Sequence, residues 1–143
     1  MKEKYPPFLN LEHTADLKIR AYGKTKEEVF VNMAYGMFYN ICGGRWPEKK
    51  SSQKISQEIK VDSSDLEALL VDFLSELNYL ADLNNAVFDE IKIKILENRK
   101  LEGKISGVKV EGFNLEIKAV TYHQLKIEKT REGIWLAEVI FDI

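Results

Sequence analysis

The chain has 143 residues, a mass of 16.5 kDa and a formal net charge of −2, which suits one domain, residues 1–143, able to bury a core without staples. With a pI near 5.8, it lacks the basic excess that charge-driven RNA or DNA binding requires. A single cysteine, Cys42, excludes an internal disulfide and any Cys-x-x-Cys knuckle, and no stretch reads as a signal peptide or a membrane span. The expectation is a soluble, cytoplasmic protein with no membrane role.

After Pro6-Pro7, the segment Phe8-Leu9-Asn10-Leu11 leads into Glu12-His13-Thr14-Ala15-Asp16. Leu17, Ile19 and Ala21 then alternate with Lys18, Arg20 and Tyr22, the period of a half-buried strand ended by Gly23. Thr25 with Glu28 reads as a capping box for a helix whose apolar face is Val29, Phe30, Met33, Ala34, Met37, Phe38 and Ile41. Gly43-Gly44 closes it, and a loop with Arg45-Trp46-Pro47 runs through Lys49-Lys50-Ser51-Ser52 to a strand over 53–61. Trp46 beside Arg45 is a contact candidate, with packing onto its own domain the simpler expectation.

Ser64 and Glu67 suggest a second capping box. Leu66, Leu69, Leu70, Val71, Phe73, Leu74, Leu77 and Leu80 cover so much of the helix that follows that it should lie between layers, leaving Asp65, Asp72, Glu76 and Asp82 on its remaining face. From Val87 the pattern is β. Ile91, Ile93 and Ile95 alternate with lysines, 98–100 is a turn, and 101–110 contains Gly103 and Gly107, which mark bulges or bends. Further strands are expected at Leu115, Ile117 and Ala119, at Leu125 and Ile127, and, after an Arg131-Glu132-Gly133 hairpin loop, at 134–141. The fold class is therefore α+β: β-α-β-α, then several mainly antiparallel strands, with an apolar helix buried between sheet layers.

Three groups could carry chemistry. His13 and Asp16, three apart, converge only if the chain turns between them. The structural alternative pairs Asp16 with Lys18 or Arg20 and makes His13 an interior histidine. In Lys118-Ala119-Val120-Thr121-Tyr122-His123, regular alternation would put His123 and Thr121 with Ile117 and Ala119, and Lys118 with Tyr122. At the end of the chain, Asp142 and the Ile143 carboxylate set two anions side by side, either simply solvated or acting as ligands. Carboxylate oxygens with at most one imidazole suit Ca²⁺, Mg²⁺ or Mn²⁺, whereas two histidines and one cysteine are too few for a structural zinc site. Dinucleotide, phosphate-loop, zincin and nucleophile-elbow motifs are all missing, so no catalytic residue is assigned.

Glu-His-Thr-Ala-Asp at 12–16, Lys-Ala-Val-Thr-Tyr-His at 118–123, Phe-Asp-Ile at 141–143 and the helix at 65–80 together make the whole chain resemble the archease family. The resemblance implies an accessory protein rather than an enzyme. Such a protein serves as an activator and chaperone-like cofactor of the tRNA-splicing RNA ligase, which joins 2′,3′-cyclic phosphate or 3′-phosphate ends to 5′-hydroxyl ends. It promotes guanylylation of that ligase and meets RNA only indirectly. The resemblance also implies a divalent-metal site, described as calcium-binding, at Asp16, Asp142 and Ile143. It implicates Lys118 in ligase activation, with His13 and His123 in the same blocks as further candidates. Two other classes remain open on the residues alone: a metal-dependent phosphoester hydrolase and a structural protein-binding module.

Overall fold

The computed structural model describes residues 4–13, 15–48 and 53–143. In chain order the elements are β1 (Phe8–Leu11), β2 (Leu17–Gly23), α1 (Lys26–Ile41), β3 (Lys54–Asp62), α2 (Leu66–Asn84), β4 (Ala86–Glu97), β5 (Lys100–Lys109), β6 (Ala119–Val120), β7 (Lys126–Lys129) and β8 (Trp135–Asp142). They form two antiparallel sheets. One is five-stranded, ordered β1-β2-β8-β6 with β7 also on β8; the other is three-stranded, ordered β3-β5-β4. The expected α+β order holds.

Both helices fill the space between the sheets, for different reasons. On α1, Gly36 lets the helix approach the five-stranded sheet, because a Cβ there would lie 3.0 Å from both Phe8 and Ile19. Toward the other sheet, Phe38 meets Phe88 edge to face, and the Tyr35 hydroxyl accepts from the Ile91 backbone N–H at 3.1 Å. Helix α1 is thus clamped on both sides. Helix α2, which the sequence places between layers, packs on the three-stranded sheet, on α1 through stacked Phe30 and Phe73 rings, and on β6. It keeps an open strip, on which Asp65, Asp72, Ser75, Tyr79, Asp82 and Leu83 are exposed while Glu76 is half-buried. Fully buried Phe30, Phe38, Phe73, Phe88 and Phe141 join both sheets and both helices in one apolar cluster.

The first helix starts as its sequence predicts, with Thr25 Oγ1 accepting from Glu28 N at 3.1 Å. The second is capped one residue later than expected. Asp65, not Ser64, accepts from Ala68 N at 2.8 Å, since its carboxylate takes the N3 donor and suits the positive end of the helix. Gly103 and Gly107 do mark bulges, but the register shifts lie in the facing strand β4, between Phe88 and Glu90 and between Ile93 and Ile95. A Cβ at Gly107 would overlap the Val87 carbonyl oxygen, and one at Gly103 would lie 2.4 Å from that of Lys92. Glycine admits the pressed-in backbone.

Two expectations fail. Phe8–Leu11, read as a lead-in, is an edge strand paired with β2. Leu115 and Ile117 are not in a strand: only Ala119–Val120 pairs, because the chain before it is anchored elsewhere. Asn114 N and Leu115 N both donate to the carbonyl of Ile41, the last residue of α1, and Asn78 of α2 donates to the Ile117 carbonyl at 2.9 Å. These anchors draw residues 114–117 across the end of α1 and against α2, away from ladder geometry. Trp46 packs against Tyr35 and Tyr39 of its own domain. The loop expectation at Lys49–Ser52 lies outside the described residues.

Candidate functional site at one end of the five-stranded sheet

Strand β8 lies in the middle of its sheet, so both neighbours end beside its C-terminus. Leu17, the first residue of β2, pairs with Phe141; on the opposite side Ala119 of β6 pairs with Asp142. Asp16 therefore stands one residue past the last pair on one flank, and Lys118 one residue past it on the other. The Lys118 backbone N–H donates to the Asp142 carbonyl at 2.8 Å. Asp16, Lys118, Asp142 and Ile143, far apart in sequence, thus converge on one end of the sheet.

The turn that His13 and Asp16 need is there. Ala15 has a left-handed backbone, φ 64°, which costs a non-glycine residue about 1–2 kcal/mol. His13 Nδ1 lies 3.7 Å from Asp16 Oδ2. His13 is exposed rather than interior, and Asp16 does not pair with Lys18 or Arg20. Those cations are taken by Glu138 of β8, a partner missed in the sequence. Arg20 Nε donates to Glu138 Oε2 at 2.6 Å, Arg20 Nη2 lies 2.5 Å from the same oxygen, and Lys18 Nζ lies 3.7 Å from Oε1. Burial lowers the Arg20 pKa, but hydrogen bonds to Tyr22 and Glu138 outweigh it and leave the guanidinium raised. Arg20 and Glu138 are register partners, and Glu138 is 6% exposed. The alternation of Leu136, Glu138 and Ile140 was the one sequence signal, but without the strand pairing it named no partner.

Between β6 and β7 the chain leaves β8 in a short loop. Thr121 N and Oγ1 both donate to the Ile140 carbonyl, His123 N donates to Thr121 Oγ1, and Gln124 adopts φ 53°. This turn overturns the expected alternation: Tyr122 and His123 are both exposed, while Thr121 is half-buried. Gln124 is a further residue missed in the sequence. Its Oε1 accepts from Lys18 Nζ at 3.0 Å and so links the loop to the Glu138 network.

The side-chain oxygen donors at this end are the Asp16 and Asp142 carboxylates, with Ile143 next to Asp142, a hard set that suits a hard divalent cation and not zinc. Among the described residues, no group of three or more His, Cys, Asp or Glu side chains is clustered closely enough to form a ready cage. Cys42 is no alternative nucleophile. Burial, with a contribution from Asp89, pushes its thiol up to about 11.

Residues 8–143 match the archease protein family. Archease proteins of Methanosarcina barkeri and Pyrococcus furiosus are 45% and 42% identical to this chain, covering 93% and 92% of it and 93% and 95% of themselves. The solution structure of Methanobacterium thermoautotrophicum protein 1598 superposes with a TM-score of 0.73 at 29% identity, covering 96% of this chain and 99% of that one. A crystal structure from Thermotoga maritima, named an archease and possible chaperone, shares the fold, with a TM-score of 0.65 at 24% identity over 100% of this chain and 99% of that one. Proteins of that family are generally non-catalytic accessory proteins. The chain belongs to the archease family, whose role lies in association with tRNA ligation.

Proposed function

We propose that this protein activates a tRNA-splicing RNA ligase by offering the acidic end of its five-stranded sheet to that ligase, promoting guanylylation and turnover. The observation that carries the reading is the convergence of Asp16, Lys118 and Asp142 around the end of β8. These are the positions at which the family resemblance implies function.

In this reading Asp16, Asp142 and Ile143 hold a divalent cation, Ca²⁺ first and Mg²⁺ or Mn²⁺ as alternatives. When bound, the cation neutralises the crowded carboxylates and can polarise phosphate oxygens. His13 orients Asp16 across the 3.7 Å contact. Lys118, exposed beside Asp142, supplies positive charge toward a nucleotide phosphate, and exposed His123 lies on the adjoining loop. RNA takes part only through the ligase, and the cytoplasm is the compartment of action, in keeping with a single free thiol.

The test is a ligase guanylylation assay with and without this protein. Acceleration by the wild type, and its loss in Asp16→Ala and Asp142→Ala, is expected. Phosphoester hydrolysis by the protein alone, lost in Asp16→Ala, would instead favour a hydrolase.

A further inference from the structure

Helix α2 is acidic on the side it leaves open. It carries Glu67, Asp72, Glu76 and Asp82, no lysine or arginine, and no basic residue in its last turn. A carboxylate near a helix C-terminus opposes the helix dipole, so Asp82 does nothing for the helix itself. Next to it runs a cleft of about 320 Å³ between α2 and residues 113–120. Its apolar floor includes Ile41, Ala81, Leu115 and Ile117, and the cleft exists because Asn78 and the Ile41 carbonyl hold residues 114–117 out of the sheet. Among its lining residues Lys118 is the one cation, against Asp82 and Glu116.

Exposed apolar surface gathers around the same cleft. Tyr79 is 57% exposed on its rim, Leu83 is 60% exposed one turn further along α2, and Ile143 is 40% exposed past the Asp142 carbonyl that holds Lys118. Tyr122, 58% exposed on the β6–β7 loop, has its phenol pKa raised by burial and by the charges of Asp72 and Asp65. Of the six large apolar side chains exposed among the described residues, Tyr79 lines the cleft itself, and Leu83 and Ile143 each adjoin a residue tied to it, Asp82 and the Asp142 that holds Lys118. A strip of exposed aromatic and aliphatic side chains edged by carboxylates is the complement of a basic segment with apolar anchors. The same charge disfavours RNA.

We propose that the cleft between α2 and residues 113–120 docks a basic, apolar-anchored segment of the partner protein, with Tyr79 and Leu83 as contact anchors and Asp82 and Glu116 pairing with its cations. The inference rests on the reading above only in taking that partner to be the ligase. Docking here would seat the partner beside Asp142, because Lys118 belongs to both the cleft and the sheet end. Affinity and activation are then carried by different residues.

The test titrates full-length variants against the purified ligase, measuring direct binding and guanylylation in parallel. In Tyr79→Ala/Asp82→Lys, whose circular dichroism and thermal midpoint should match wild type, the dissociation constant and the half-saturating concentration should both rise tenfold or more. The maximal stimulated rate at saturation should be kept. Asp142→Ala should show the reverse split, and Ile95→Ala, an exposed apolar side chain on β4, should bind as wild type. Wild-type binding should also weaken as salt is raised. If wild-type chain binds but stimulates nothing while the double variant still loses binding, the activation reading fails and the docking surface stands. Binding of the double variant within twofold of wild type, no binding of the wild type, or self-association of the chain through Tyr79 would each overturn the proposal.

Discussion

The Lys118 backbone N–H donates to the Asp142 carbonyl oxygen at 2.8 Å, tying the last residue before β6 to the last residue of β8. The bond uses the main chain of both residues and leaves their side chains out of it. Side-chain replacement at either position therefore leaves the joint intact. Asp16→Ala and Asp142→Ala should unfold in urea within about 0.5 kcal/mol of wild type in metal-free buffer, as surface substitutions do. Their ligase stimulation should be lost. A large stability loss in either would mean that the carboxylate serves the fold.

Calcium should be detectable without any ligase. A ligand selective for the native state stabilises it by about 2.7 kcal/mol at a concentration of 100 times its dissociation constant. For a chain of this size that raises the thermal midpoint on the order of 8 °C. The rise should be seen on adding Ca²⁺, reversed by chelation, and absent from Asp142→Ala. A wild-type midpoint that ignores both Ca²⁺ and chelator would remove the metal from the account.

Glu138 is the stability-critical charge. Its side chain is 8% exposed and holds Arg20 and Lys18, whose side chains are 32% and 16% exposed. Glu138→Ala would strand two partly buried cations, at a cost on the order of 3 kcal/mol, read as a lower urea midpoint. It should also loosen the 121–125 loop, because Lys18 is what Gln124 holds, visible as faster amide exchange there. An unchanged midpoint would mean that the outer face of the sheet repacks easily.

Gly107 and Gly112 give a matched pair. A methyl group at Gly107 overlaps the Val87 carbonyl, while one at Gly112 meets nothing within 4 Å. Gly107→Ala should be destabilising by about 2 kcal/mol or more, since backbone must shift. Gly112→Ala should be neutral or slightly stabilising, by up to about 1 kcal/mol. Equal urea midpoints for the two would show that the β4 bulge gives way freely.

Cys42 should be slow to alkylate. With its folded pKa pushed up to about 11 from a reference near 9.0, the native state holds the thiol proton more tightly than the unfolded chain does. Its contribution to stability is therefore present below the unfolded value and lost as pH rises through the folded one. At pH 8, iodoacetamide labelling of the native protein should lag far behind labelling in denaturant. Equal rates would show an open, ordinary thiol.

Local chemistry was readable in the sequence where a residue acts on its own neighbours. Thr25 caps α1, Gly103 and Gly107 face bulges, and alternation marks β2. Pairing across the chain was not readable. Lys18 and Arg20 looked like partners for Asp16 because only distance along the chain was visible, whereas the β2–β8 register gives both to Glu138. The 115–119 segment alternates like a strand, but the Ile41 carbonyl and Asn78 capture it first. His123 then falls on a turn, where alternation says nothing. The two ends of the candidate site were legible as motifs, and their meeting required the central position of β8.

The most direct measurement is the rate of ligase guanylylation with GTP and divalent metal, comparing no addition, this protein and its Asp142→Ala variant at saturating concentration. Acceleration by the wild type and none by the variant is expected, although both bind the ligase. Equal rates in all three, under every metal condition, would contradict the activation reading.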